Sequence, residues 1–370
     1  MAQERKSKVA IVGGGPAGCM CAYFLQNQFD VTVFEKKSPL YTLLPTGGGR
    51  CNLANAIYDF KELASNYPRG EKFLYSVFSK FSTSDTLDFF EKIGVKTYIQ
   101  DDMRIFPISN SSKDVREKFL KALNKVRFIK EEVLKINSLS RFSIFTSNNS
   151  YDFDYVVVAI GGHCAIEILK SLGHNVIQQK PALTGLETKE DFSKLSGVSI
   201  NGVLFTHKGV SGPEIYKISS LKARENFPYK LNFDFAGKID LQEMLNCNPH
   251  KSIKKLMSEI VPKSFAEFVL QDLNIVPERK CHTIDGKTRD CILNKLQNFE
   301  ITVNGTVPDG EVVMSGGVDL NEINPKTMES KLIPNLYFCG EVLNIDGFCG
   351  GFNLQNCWST AFVAADAIMR

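Results

Sequence analysis

The stretch Val9 to Gly18, VAIVGGGPAG, restricts the fold of this chain more than any other. Val9, Ile11 and Val12 read as a strand, and Gly13, Gly15 and Gly18 follow it directly as G-x-G-x-x-G. Ala17, Met20, Cys21, Phe24 and Leu25 then recur at helical spacing. Gly13 suits the tight turn, Gly15 the approach of a pyrophosphate to the backbone, and Gly18 the close packing of helix on strand. The start of the helix, through Pro16 and Ala17, offers N–H groups and partial positive charge to phosphates. A second strand, Val31 to Phe34, ends at Glu35, 22 positions after Gly13. A carboxylate that binds a ribose diol is expected about 20 positions on. Lys36 follows it as a further candidate contact. The whole series predicts a nucleotide-binding βαβ unit opening a parallel sheet. It fits the ADP half of FAD and of NAD equally.

The pattern beyond is mainly helical from Tyr58 to Leu123, with a start at Ser82 and a stop at Gly94. Strands return at Phe142 to Phe145 and Tyr151 to Ala159, where the apolar run Tyr155 to Ile160 suits a strand buried on both faces. Gly161 and Gly162 break it. Residues 190–312 alternate strand-like runs (Ile200 to Phe205, Lys230 to Phe235, Glu300 to Val303) with helical ones (Ile253 to Ile260, Phe265 to Leu273) and carry no second nucleotide fingerprint. They are predicted to form an inserted substrate-side domain. The first domain, 1–189, resumes after Glu311 as 313–370, with a strand at Leu336 to Cys339 and a last helix from about Leu354 to Met369.

Three distant signals favour a flavin, which is held along its whole length. GGGRCNLAN, Gly47 to Asn55, sets glycines before Arg50. In LYFCGE an apolar strand ends in Gly340 and then Glu341, a carboxylate that can bond ribityl hydroxyls. GFCGGFNLQ, Gly347 to Gln355, leads into the last helix, whose first-turn N–H groups lack intrahelical partners.

With VAIVGGGPAG, TGGGRCNLAN, RIFPISNSSKDV, LFTHKGVSGPEI and SGGVDLNEINPKTMESKLIPNLYFCGEVLNIDGFCGGFNLQ, the chain resembles the BaiN-like or YhiN-like (aminoacetone-oxidase-like) bacterial flavoproteins. The resemblance implies an α/β fold: a glutathione-reductase-type FAD-binding Rossmann domain with an inserted mixed β-barrel and helical domain. It implies that the pyrophosphate meets Gly13 to Gly18, the adenosine ribose Glu35, and the flavin region Gly49, Arg50, Cys51 and Asn52 together with Gly351, Phe352, Asn353 and Leu354. Gly340 and Glu341 would lie at the ribityl or pyrophosphate portion. Val133 would touch adenine through its backbone, and Ala159 and Gly161 would line the same cleft.

Composition excludes several classes. A net charge of +3, from 44 basic and 41 acidic side chains, argues against nucleic acid as a partner. No stretch approaches the ~20 apolar residues that span a bilayer, and Met1 to Lys8 is too polar for a signal peptide. Ten cysteines without C-x-x-C or zinc spacing read as reduced thiols in a cytoplasm. Cys51 lacks a nearby partner and reads as packing, and no metal site is expected. The expected function is therefore oxidation or reduction of a small organic molecule through noncovalent FAD, with NAD(P)H as a possible transient electron donor. A flavin-based redox sensor and a flavin-dependent RNA-modifying enzyme are the alternatives. His207 is the histidine of interest, although a bland surface role suits it better. Catalytic residues beyond the flavin, and the oligomeric state, are not legible in the sequence.

Overall fold

A computed structural model describes residues 6–139, 141–162, 166–308, 310 and 313–370. Met1 to Arg5 of the polar lead-in, and Glu311 at the return of the first domain, lie outside the described residues. The chain divides into two compact units, Met1–Lys180 with Val313–Arg370, and Pro181–Val312. The first boundary thus falls between residues 180 and 181, where the sequence pattern put it between 189 and 190. The reason is local: Leu186–Thr188 is a strand of the second unit's sheet, paired on one side with Gly209–Ser211 and on the other with Phe299–Thr306.

The first unit is built on a five-stranded parallel sheet in the order Leu336–Phe338, Tyr155–Val158, Lys8–Val12, Asp30–Phe34, Arg127–Ile129. Val9, Ile11, Val156, Val157 and Val158 are almost wholly enclosed, as expected of a parallel sheet covered on both faces. The first helix, Pro16–Leu25, and the last, Phe352–Met369, pack against each other along this core. The run Tyr151 to Ala159 is not one strand. Ser150–Phe153 belongs to an antiparallel three-stranded sheet and Tyr155–Val158 to the parallel one, with Asp154 between them accepting a hydrogen bond from the Lys8 N–H at 2.8 Å. The stretch read as helical also contains a hairpin, Thr97–Ile99 with Arg104–Pro107, which pairs with Ala54–Asn55.

The second unit holds a six-stranded antiparallel sheet whose edge strands are Ser199–Ile200 and Tyr229–Phe233. The run Ile200 to Phe205 is not one strand: Asn201 and Gly202, both with positive φ, turn the chain between the paired strands Ser199–Ile200 and Val203–Thr206. Helices Leu241–Cys247, Ile253–Met257, Lys263–Asp272 and Gly286–Gln297 belong to the same unit. Phe192, Phe205, Phe265 and Phe299 form its aromatic centre.

Candidate functional site

In an open parallel sheet, ligands bind beyond the carboxyl ends of the strands, where the strand order reverses. Here the order reverses at Lys8–Val12, whose neighbours are the later strands Asp30–Phe34 and Tyr155–Val158 on opposite sides. Gly13, Glu35, Ala159, Gly161 and Gly340 all lie just beyond strand ends on this one edge. The ladder continues into them: Gly13 N–H donates to Phe34 O at 2.9 Å, Ala159 N–H to Val12 O at 2.8 Å, and Cys339 N–H to Val158 O at 3.1 Å.

The glycines of the first turn have distinct physical reasons. A Cβ on Gly18 would lie 1.9 Å from Gly13 O, and one on Gly13 (φ +106°) 2.3 Å from Ala159 O, so both positions are closed by backbone. Gly15, the N-cap of the first helix, is different: its Cβ would meet only Thr42 Oγ1, at 3.6 Å. Backbone there borders open space at a helix N-terminus, with Pro16 at the first helical position and Ala17 buried behind it. Glu35 uses one carboxylate oxygen to accept from Gly14 N–H (2.8 Å) and the other from Lys37 N–H (2.7 Å). Each oxygen keeps a lone pair for a further donor. Lys36 points elsewhere, to an exposed pair with Glu132 at 2.9 Å. Val133 is 7% exposed at the start of Val133–Ser138.

The second loop and the last helix are stitched together. Gly47, Gly48 and Gly49 all have positive φ, and an added Cβ on Gly48 or Gly49 would meet nothing within 4 Å. Arg50 places its guanidinium 4.2 Å from the Phe106 ring centroid and donates from Nε to Gly47 O at 3.4 Å. Oriented as its neighbours require, the Asn52 carboxamide donates to Ala54 O (3.0 Å) and accepts from Gly351 N–H (3.0 Å). Asn55 donates to Gly350 O at 3.1 Å. Asn353 clamps Gly347 twice, accepting from its N–H at 2.8 Å and donating to its carbonyl at 2.9 Å.

The carboxamides of Asn52 and Asn353 hold backbone, and Gly351 N–H is occupied by Asn52. Gly351 is required by the Ala54 backbone, since its Cβ would lie 2.3 Å from Ala54 O. Cys51 is wholly enclosed, its thiol pushed up to about 12 by burial, and its side chain packs in the core. The last helix starts at Phe352, two residues before the expected Leu354. The N–H groups of Phe352, Asn353 and Leu354 have no acceptor among the described residues.

Gly340 (φ +76°) donates to Thr360 Oγ1 at 2.9 Å, and its Cβ would lie 2.7 Å from that of Ala17, so this turn is pressed against the first helix. Glu341 follows. Burial, aided by the like charge of Asp346, pushes its carboxyl up to about 7, against a hydrogen bond from the Gly162 backbone. Asp346 is itself held by Arg69.

A cradle with open glycine backbone at Gly15, Gly48, Gly49 and Gly161, a carboxylate at the end of the second strand, a half-buried acid and unpaired helix N–H groups fits an elongated dinucleotide with a flat ring at one end. His207, by contrast, is exposed in the second unit at the tip of the hairpin Val203–Thr206 and Gly209–Ser211. Among the described residues no cluster could hold a metal ion, and no helix is long and apolar enough to cross a membrane.

Known proteins agree with this architecture. The chain is 26% identical to a ribosomal RNA dihydrouridine synthase of Escherichia coli, over 97% of each chain. It is 27% identical to a 3-dehydro-bile acid delta(4,6)-reductase of Clostridium scindens, over 98% of each. A 3-ketosteroid delta1-dehydrogenase from Sterolibacterium denitrificans shares the fold at 12% identity, with a TM-score of 0.53 over 98% of this chain and all of that one. The profile of the HI0933-like protein Rossmann domain matches residues 7–367, and the chain therefore belongs to that family of FAD-dependent oxidoreductases, the one its motifs resemble.

Proposed function

We propose that this protein is an FAD-dependent reductase of carbon–carbon double bonds conjugated to a carbonyl group. The observation that carries the reading is the chemistry shared by two relatives matching nearly the whole chain. Dihydrouridine is uridine whose C5–C6 double bond, conjugated to the C4 carbonyl, has been reduced. A delta(4,6)-reductase likewise saturates ring double bonds. Such an alkene accepts a hydride at its β-carbon and a proton at its α-carbon, which a two-electron carrier supports.

FAD would be held by Gly13, Gly15, Gly18 and Glu35 at its ADP half and by Arg50, Gly340, Glu341 and the 351–354 turn toward the flavin, and it supplies hydride transfer when bound. The chain's own contribution is electrostatic and positional. The N–H groups of residues 352–354 and the Arg50 guanidinium favour negative charge beside them. Glu341, raised to about 7, holds a proton near neutral pH. NADH or NADPH bound transiently is the proposed electron donor.

A small organic enone is the preferred substrate, because the near-neutral chain lacks the positive charge that usually accompanies nucleic-acid binding. The dihydrouridine relative favours a second reading, uridine in ribosomal RNA. Anaerobic reduction of the holoprotein, followed by mixing with a steroid dienone, with ribosomal RNA free of dihydrouridine, or with oxygen, tests both. Rapid recovery of the flavin absorbance near 450 nm with either alkene supports the reductase and identifies the substrate class. Recovery with oxygen alone overturns it in favour of an oxidase.

A further inference from the structure

A Ser–His–Glu chain centred on a buried histidine lies in the first unit, assembled from positions that no sequence motif connects. His174, with no exposed side-chain surface, places Nδ1 2.8 Å from Glu322 Oε2 and Nε2 3.0 Å from Ser330 Oγ. The distances match those of a hydrolase triad, but the hydrogen-bond inventory does not. Ser330 Oγ already accepts from Leu332 N–H and Ile333 N–H, each at 3.0 Å, which fills both lone pairs. Its single hydrogen has His174 Nε2 as acceptor. His174 is thereby fixed as the neutral Nδ1–H tautomer, donating to Glu322. A serine oxygen bound by two backbone donors, in a residue only 6% exposed, is a poor nucleophile with no room for a substrate.

What the chain of bonds holds is specific. Leu336–Phe338 is an edge strand of the parallel sheet, and the NPKTMESK segment covers its free edge. Ser330 N–H donates to Leu336 O at 2.7 Å, Phe338 N–H donates to Met328 O at 3.0 Å, and Glu329 bridges Tyr337. His174 also packs edge-on against Phe338, with ring centroids 4.8 Å apart. Glu322 accepts a second bond from Asn175 N–H at 3.0 Å, and its carbonyl accepts from Lys331 N–H at 2.8 Å. One buried imidazole thus ties the covering segment to the strand that runs, two residues later, into Gly340 and Glu341.

We propose that His174, Glu322 and Ser330 are positioning residues for the cofactor, fixing the register in which Leu336–Phe338 presents Gly340 and Glu341 to FAD. The inference rests on the placement of FAD at that turn given above. Because the two side chains reach different ring positions, substitutions divide the clasp. His174→Asn can reproduce only the Nδ1 donor, whereas His174→Gln places an amide oxygen near Nε2 as acceptor for Ser330. Glu322→Gln keeps an acceptor for Nδ1–H.

The test measures FAD dissociation from the full chain by recovery of flavin fluorescence, the circular dichroism of the bound flavin, and urea unfolding followed through Trp358. Nitrogen-15 NMR of the parent reports the His174 tautomer. Ser330→Ala and His174→Asn are expected to speed FAD release tenfold or more and to alter the flavin dichroism. His174→Gln and Glu322→Gln should stay within about threefold of the parent. The proposal is overturned if all four variants release FAD at the parental rate, or if His174→Gln and His174→Asn lose FAD equally and only in proportion to lost folding stability. It is also overturned if the NMR signals show Nε2 protonated. A parent protein that never retains FAD would instead refute the cofactor placement, and the two failures are therefore distinguishable.

Discussion

Glu341 makes the energetics of the site measurable without substrate. Its carboxyl is pushed up to about 7 from an ordinary 4.5, first by burial and second by the like charge of Asp346. The folded protein therefore holds this proton more tightly than the unfolded chain does. Its contribution to stability is fully present below about pH 4.5 and is lost as pH rises through 7. The full shift of about 2.5 units corresponds to roughly 3 kcal/mol at 1.36 kcal/mol per unit. Between pH 5 and pH 8 the loss is about 2.5 kcal/mol, and partial exposure of the residue lowers the expected figure to roughly 2 kcal/mol. Glu341→Gln removes the titration, so the variant gains on the parent by about that much at pH 8 and by little at pH 5. Urea unfolding of FAD-free protein reads this through the single tryptophan, Trp358, which is fully buried with its indole N–H on Leu53 O at 2.9 Å. Parallel stability curves for parent and variant across pH 5 to 8 would refute the reasoning.

Three further outcomes follow from the same geometry. Glu35→Ala should weaken FAD by about 1.5 to 3 kcal/mol in calorimetry, the worth of hydrogen bonds to a charged group; unchanged affinity would remove Glu35 from the ribose. Gly351→Val forces a side chain against the Ala54 carbonyl at positive φ, so the protein should purify with less than a tenth of its flavin and unfold about 3 kcal/mol earlier; full flavin content would contradict the close approach. Asn353→Asp keeps the acceptor for Gly347 N–H but sets a negative charge on the first turn of the last helix. If that turn faces the flavin, spectroelectrochemistry should show a midpoint potential lower by roughly 20 mV for each kcal/mol taken from the reduced form, and an unchanged or raised potential would detach the helix from the redox chemistry.

The parts of the site legible in sequence are those where one residue type has a single physical reason. Gly13 and Gly18 are demanded by backbone 2.3 and 1.9 Å from where a Cβ would stand, and both lie within one βαβ unit whose periodicity announces its elements. Positions 52 and 353 are equally conspicuous in sequence, but what their carboxamides hold is not. A carboxamide can bind a ligand or a backbone, and what decides is a partner remote in sequence: Gly351 for Asn52. For Asn353 the partner is only six residues away, but the bond exists because the chain doubles back at Gly347. The two short strands of the 97–107 hairpin escaped for a related reason. Three or four residues are too few to show alternation, and their strand character comes from pairing with Ala54–Asn55.

His174 is the extreme of that progression. It lies 148 residues from Glu322 and 156 from Ser330, so nothing local distinguishes it from a surface histidine. Its tautomer follows only from counting the lone pairs on Ser330 Oγ, which requires the two backbone donors at Leu332 and Ile333 to be in place. Local sequence specifies where backbone must pass close, because a missing Cβ is a property of one residue. Which polar side chains are spent on holding the cradle, and which remain for a ligand, is a property of pairs. Here pairs occupy the carboxamides of Asn52 and Asn353 and burial encloses Cys51, so the proposed chemistry is built on Arg50, Glu35, Glu341 and three helix N–H groups.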